Sequence, residues 1–325
     1  MNRTLLSILK VLSRHSQEVV GSREIARELQ GLGVNLSERT VRYHLRILDE
    51  RGFTKGFGKE GRQITPQGLE ELSKAMVSEK VGFVISKIDT LSYLTDLELR
   101  SLRGKVILNV SFIPRGRLRE ALKIMKPVFS SPYVMSDRLV VAHDRVGDVA
   151  VPRGMVALGT VCSVTINGIF LKEGIPVSSK FGGVLEIQAH RPSRFVALIS
   201  YEGSSLDPLE VFIRGKMTDV LGALKGSGKV LASFREIPTV CLQRARELSQ
   251  ALRARGIGGI LDIGQPNASL YEVPVGMDRA GMVIVGGLNP IAALEEQGIP
   301  TESTAMSTLY EYQKLRPFQE LLGGV

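Results

Sequence analysis

Four side chains at helical spacing open the functional reading: Arg39, Arg42, Tyr43 and Arg46, in the segment SERTVRYHLRILDERG. Positions i, i+3, i+4 and i+7 share one helix face, and three guanidinium groups there suit a polyanion. A guanidinium fork pairs with O6 and N7 of guanine together, so Arg39 and Arg42 are the candidates for reading base edges. Ser37 and Thr40 at the head of the helix suit phosphate oxygens, as do Lys55, Lys59 and Arg62 in the Gly/Lys-rich stretch that follows. From Leu36 to Arg62 seven basic residues stand against four acidic ones. A solvated helix face or a protein-docking module would use the same side chains, but the basic groups fall where phosphates would sit, and DNA is the better reading.

A second set of small polar groups interrupts an apolar run. Thr160, Cys162, Ser163, Thr165 and Asn167 lie within GTVCSVTING, followed by Lys180 in SSKFGG and by YEGSSLDPLE. Later, VGGLNPIAAL places Gly286, Gly287 and Asn289 ahead of a helix opened by Pro290. Glycines and free backbone N–H groups at a helix start favour an anion such as a carboxylate, and Lys180 could pair with a second one. The same residues could equally be turn glycines and hydroxyls that satisfy buried backbone.

Catalytic and metal chemistry find little support. His15, His44, His143 and His190 show no metal-ligand spacing with one another or with the two cysteines. No phosphate-binding loop, nucleophile elbow or dinucleotide fingerprint occurs. His143-Asp144 reads as a surface turn, and Cys162 as a buried small hydrophobe or ligand contact rather than a nucleophile. The expectation is no enzyme, no metal and no resident cofactor.

The basic helix needs elements to position it. Leu5, Leu6, Ile8, Leu9 and Leu12 predict a first helix, and SREIARELQ a second, capped by Ser22 with Ile25, Ala26 and Leu29 inward. Ser37 caps the basic helix, whose inner stripe is Val41, Leu45 and Leu48 and whose stop is Gly52. FTKGFGKEGRQITPQG reads as two short strands around a Gly/Lys tip, with Pro66 opening another helix. This order is that of a winged helix-turn-helix, in which the third helix enters the major groove.

The rest of the chain is Gly-rich and β-branched, and it repeats. Gly104-Lys105-Val106-Ile107 matches Gly228-Lys229-Val230-Leu231; Ile113-Pro114 matches Ile237-Pro238; Gly174-Ile175-Pro176 matches Gly298-Ile299-Pro300, each pair 124 residues apart. GMVALG and GMVIVG match at an offset of 127, which needs a three-residue gap, while Asp144-Arg145 against Asp278-Arg279 is a rival register. The expected architecture is therefore a winged helix-turn-helix over 1–78 and an α/β domain over 79–325. That domain is built from two pseudo-symmetric halves, about 90–222 and 223–325.

Composition bounds the rest. With 325 residues, 42 Lys+Arg against 33 Asp+Glu and a net charge of +9, the chain is an ordinary globular length of two or three domains with an anionic partner. Residues 1–80 carry 14 basic and 10 acidic side chains, so less than half of the excess is on the winged module. Two cysteines suit a reducing, cytoplasmic setting. Charges inside the first helix exclude a signal peptide, and residues 154–171, uncharged but β-branched and polar, read as buried strands joined by a turn rather than a membrane span.

GTVCSVTINGIFLKEGIPVSSKFGGVLEI, YEGSSLDPLEVFI, GSGKVLASFREIP, GIGGILDIGQP and VIVGGLNPIAALEEQGIP resemble the effector domain of the archaeal NrpR nitrogen regulators, and the winged module precedes it as in that family. The resemblance implies a homodimeric repressor of nitrogen-assimilation genes on palindromic operator DNA. It implies 2-oxoglutarate as the releasing effector. On that reading Thr160, Cys162, Ser163, Thr165, Asn167, Lys180, Gly287 and Asn289 are the expected ligand contacts. Some family members carry two effector domains; this chain has length for one, a form that works alone or with a second chain of the family. A regulator answering another small anion, and an α/β enzyme with a winged docking module, are the alternatives.

Overall fold

The computed structural model describes residues 3–16, 18–75 and 82–322, and the chain divides into two compact units, 1–81 and 82–325. The expected boundary at 78 and 79 lies outside the described residues.

The first unit runs α1 (Arg3–Arg14), α2 (Ser22–Gly31), α3 (Glu38–Glu50), β1 (Thr54–Gly56), β2 (Arg62–Ile64) and α4 (Pro66–Ala75). Ile8, Leu9, Leu12, Ile25, Leu29, Val41, Leu45 and Leu48 form its core, as the 3.6-residue spacing requires. Ser37 caps α3 by accepting the Thr40 N–H at 3.2 Å. The expected Ser22 cap is corrected: Gly21 occupies that position, and Ser22 begins α2 and donates its hydroxyl to Glu38 at 3.1 Å.

The second unit begins with α5 (Phe83–Leu94) and β3 (Lys105–Pro114), then α6 (Leu118–Phe129), β4 (Arg138–Ala142), the small hairpin β5 (Arg145–Val146) and β6 (Val149–Ala150), and β7 (Met155–Val161). Next come α7 (Val164–Lys172), β8 (Ser178–Gln188), β9 (Arg191–Ser200), α8 (Pro208–Arg214) and α9 (Val220–Leu224). The remainder is β10 (Gly228–Pro238), α10 (Leu242–Arg253), β11 (Ile260–Pro266), β12 (Arg279–Val285), α11 (Asn289–Glu296), β13 (Glu302–Glu311), β14 (Arg316–Pro317) and α12 (Phe318–Leu322).

Two five-stranded sheets result, ordered β11-β12-β10-β8-β9 and β13-β3-β7-β4-β14, with antiparallel pairings throughout. The register exposes the duplication. Leu108 pairs with Val161 in one sheet and Ala232 with Val285 in the other; Pro114 pairs with Met155, and Pro238 with Arg279. Both partners of each pair are shifted by 124, so this offset runs through β7 and β12 without a gap. The 127-residue match and the rival register are both superseded.

The two halves also exchange strands. β8, from the first half, pairs with β10, whereas its counterpart β13, from the second, pairs with β3. Each sheet thus needs both halves, and neither sequence repeat is a folding unit by itself. Each pairing carries an irregularity, but in neighbouring positions: one extra residue, Lys180, beside Phe234/Arg235 in one sheet, and a longer one between Thr304 and Thr308 in the other.

One expectation fails here. Residues 154–171 are not two strands and a turn: β7 ends at Val161 and the polar stretch continues as α7. All of Val164–Phe170 is buried, so the helix shows no amphipathic period to read, and a short apolar run is ambiguous between strand and helix.

Candidate functional site

In the first unit the apolar stripe of α3 turns inward and leaves Arg39, Arg42, Tyr43 and Arg46 exposed on the opposite side. Arg42 leans to Glu38 at 3.5 Å, an exposed pairing of small weight. Thr40 is half-buried, its hydroxyl 2.9 Å from that of Ser37. Lys55 and Lys59 are exposed in the wing, the Lys55 ammonium lying 5.5 Å from the centre of the Phe57 ring. Arg62 is different: half-buried, its Nε donates to Asp49 at 3.1 Å, and Asp49 also accepts the Thr54 hydroxyl at 2.6 Å. It ties the wing to α3, a task that competes with phosphate contact.

In the second unit the residues named from sequence separate by task. Thr165 accepts the Ile107 N–H on β3 at 3.1 Å. Asn289 accepts the Leu231 N–H at 2.8 Å and donates to the carbonyls of Leu231 and Tyr133, each at 3.1 Å, so all its hydrogen-bonding groups are engaged. A side chain on Gly287 would stand 2.1 Å from the Val161 carbonyl oxygen, so the start of α11 abuts β7 directly. The expected anion cradle ahead of Pro290 is therefore filled by protein. Thr160 is buried, and its hydroxyl has no partner.

Lys180 stands apart as well. It lies at the β8 irregularity and meets Glu236 at 3.5 Å, while Glu236 accepts the Gly276 N–H at 3.0 Å. Arg235 and Glu236 are neighbours on a strand and project to opposite faces, so Lys180 does not share a site with the groups around Arg235.

Those groups are Ser163 and Asn167, with Ser179 behind them. The Arg235 guanidinium, 1% exposed, donates through Nη1 to the Ser163 carbonyl at 3.0 Å and to Asn167 Oδ1, and through Nη2 to Ser163 Oγ at 2.8 Å. Asn167 in turn donates to Ser179 at 3.0 Å. Among the described residues no carboxylate pairs with Arg235, and its Nε–H has no partner. Desolvation lowers its pKa to about 10, so it remains a cation at neutral pH.

Cys162 and Tyr201 border this corner in a small satellite core under α5, with Val84, Ile88 and Met306. Burial pushes the Cys162 thiol up to about 11, opposed by the N–H groups of Val164 and Met306, which makes it a poor nucleophile. Burial likewise carries the Tyr201 phenol far above its usual range. Nothing in sequence marked Arg235. In GSGKVLASFREIP it sits beside Glu236 as though in an ordinary surface pair, and only the register shows that it faces α7.

A winged-helix unit joined to a duplicated α/β unit has the build of a transcription regulator. Residues 81–317 match the family of NrpR regulatory domains NRD1 and 2, and residues 6–72 match the ribonuclease R winged-helix domain. The global nitrogen regulator NrpRI of Methanosarcina mazei is 36% identical over 317 residues, 97% of this chain and 98% of that protein. The NrpR regulators of Methanococcus maripaludis and Methanocaldococcus jannaschii are 31% and 33% identical, and the matches cover 54% and 56% of their length. A crystal structure of a nitrogen repressor-like protein from Methanococcus jannaschii superposes with a TM-score of 0.63 at 33% identity, covering 72% of this chain and 98% of that one.

The chain belongs to the NrpR family of nitrogen regulators. Its relatives are regulators rather than enzymes, and among the described residues no helix is long and apolar enough to cross a membrane.

Proposed function

We propose that the chain is a repressor of nitrogen-assimilation genes, those of nitrogen fixation and glutamine synthesis among them. It binds palindromic operator DNA as a homodimer in the cytoplasm and is released by 2-oxoglutarate. The observation that carries the DNA half is the exposed Arg39, Arg42, Tyr43 and Arg46 face of a well-capped α3, backed by an apolar stripe and flanked by Lys55 and Lys59. Two-fold symmetry of a dimer presents two such helices to two half-sites.

The effector half rests on family membership. The match to NrpRI of Methanosarcina mazei, covering 97% of this chain and 98% of that protein, supports this reading, and a second chain of the family is a further partner. To switch occupancy from nearly full to nearly empty, 2-oxoglutarate must prefer the released arrangement by about 5 kcal/mol.

Selection of binding sites from random duplexes tests the DNA half. Enrichment of a palindrome with two half-sites supports it, and recovery of no sequence above background would overturn it.

A further inference from the structure

We propose that a cleft on the seam between the two halves of the second unit binds a free amino acid with an apolar side chain, Asp137 meeting its ammonium and Arg253 its carboxylate. None of the residues expected to hold 2-oxoglutarate lines this cleft, and the ligand is of another chemical class.

The seam is itself a product of the duplication. Ser136 bridges Ile257 in the antiparallel sense, and the Gly258 N–H donates to the Met135 carbonyl at 3.0 Å. Continued along both segments, this register sets Ile260 against Tyr133, which are the 124-residue equivalents of Ser136 and Ile257. The halves therefore meet about a local two-fold axis. Beside it opens a cleft of about 470 Å³, a size suited to a small molecule.

The two sides of the axis have diverged in what they give the cleft. Where the first half has Pro132, Val134 and Met135, the second has Gly256, Gly258 and Gly259. A side chain on Gly259 would stand 2.2 Å from Met135 Sδ, so Met135 fills the place of its missing counterpart. At Gly256 and Gly258 a methyl group would meet no other segment closer than 3.5 Å, and the bare backbone there keeps the cleft open.

The charges have diverged too. Asp137 has Leu261 as its equivalent and Arg253 has Phe129, so the cleft receives one carboxylate and one guanidinium, with no symmetry copy of either. Among the described residues neither group forms an ion pair. Arg253 Nη2 donates to the Ile260 carbonyl at 3.2 Å, which holds the guanidinium at the rim, and Asp137 has a long contact with Ser136 Oγ at 3.5 Å. An anion and a cation held apart in one cleft complement the two head groups of a zwitterion. A dicarboxylate would meet a single cation and a repelling carboxylate. Phe129, Val134, Ile260 and Leu261 supply apolar walls for the ligand side chain.

Calorimetry with the full chain tests the proposal, with L-leucine, L-methionine and L-phenylalanine as probes. At least one should bind. For L-leucine, the analogues isoamylamine and 4-methyl-2-oxopentanoate keep one head group each and should bind roughly tenfold more weakly or worse, as should the matching analogues of the other two. Asp137→Asn and Arg253→Gln, substitutions of exposed side chains that should leave the melting temperature in place, should each weaken the amino acid by roughly tenfold or more. Binding of none of the three probes overturns the proposal, as does undiminished affinity in either variant or an analogue that binds as well as its parent. Operator binding and release by 2-oxoglutarate stand or fall separately from this result.

Discussion

Thr165 and Asn289 are equivalent residues of the two halves and do the same work: Thr165 fastens the start of α7 to Ile107 of β3, and Asn289 fastens the start of α11 to Leu231 of β10. Both pairs, Thr165 with Asn289 and Ile107 with Leu231, are 124 residues apart. Helix-start polar groups that look ready for a ligand are here consumed by backbone. Asn289→Ala would orphan a buried N–H on β10 and weaken the satisfaction of two carbonyls. We expect about 2–3 kcal/mol of lost stability in urea unfolding, with effector affinity per folded molecule unchanged.

On the operator, Arg42→Ala should cost about 1–3 kcal/mol and relax preference at one base position. Lys59→Ala should weaken all sequences alike and flatten the salt dependence. Arg62→Ala should lower the melting temperature of the winged unit through loss of the Asp49 tie. Retardation across a salt series, with single-base operator variants and a melting curve, separates the three.

Gly168 is where α5 and α7 come into contact. A methyl group there would stand 2.5 Å from Thr95 Cβ and 2.6 Å from the Ser92 carbonyl oxygen. Gly168→Ala should therefore destabilise the effector unit by about 1–3 kcal/mol in spite of its better helix propensity, read by chemical unfolding.

Asp207 carries a pH signature. Burial raises its pKa from 3.8 to about 6, with Glu210 adding to the rise and the Leu209 and Glu210 N–H groups and Lys87 opposing it. Between those values the folded state holds the proton more tightly than the unfolded one, so stability falls as pH rises from about 4 to 6. Asp207→Asn keeps the cap on α8 and should remove that part of the fall, measured as unfolding free energy against pH.

Cys162 should resist alkylation. Its buried thiol, pushed up to about 11, stays protonated at neutral pH, whereas Cys241 is half-buried. Mass spectrometry after brief iodoacetamide treatment of the native protein should find label on Cys241 ahead of Cys162.

The winged unit was legible in sequence because its helices are amphipathic and its caps and turns are local. Val41, Leu45 and Leu48 announce the inner face of α3 without any knowledge of the rest. The duplication was legible as an offset, but the exchange of β8 and β13 between sheets was not, since strand pairing across more than 40 residues leaves no local trace. α7 was missed because full burial erases periodicity. Thr165 and Asn289, expected as ligand contacts, have backbone partners, and in sequence a buried polar residue reads the same in either role. Arg235 went unnoticed for the converse reason, since an arginine beside a glutamate looks solvated until the strand register places the two on opposite faces.

The central claim is that a small dicarboxylate and operator DNA compete for the state of one protein. Titrating fluorescent selected operator with the chain, with and without saturating 2-oxoglutarate, tests it most directly. The account predicts a clear weakening of operator affinity, matched by an equal loss of 2-oxoglutarate affinity when operator is present. Identical operator affinity in the two titrations would contradict it.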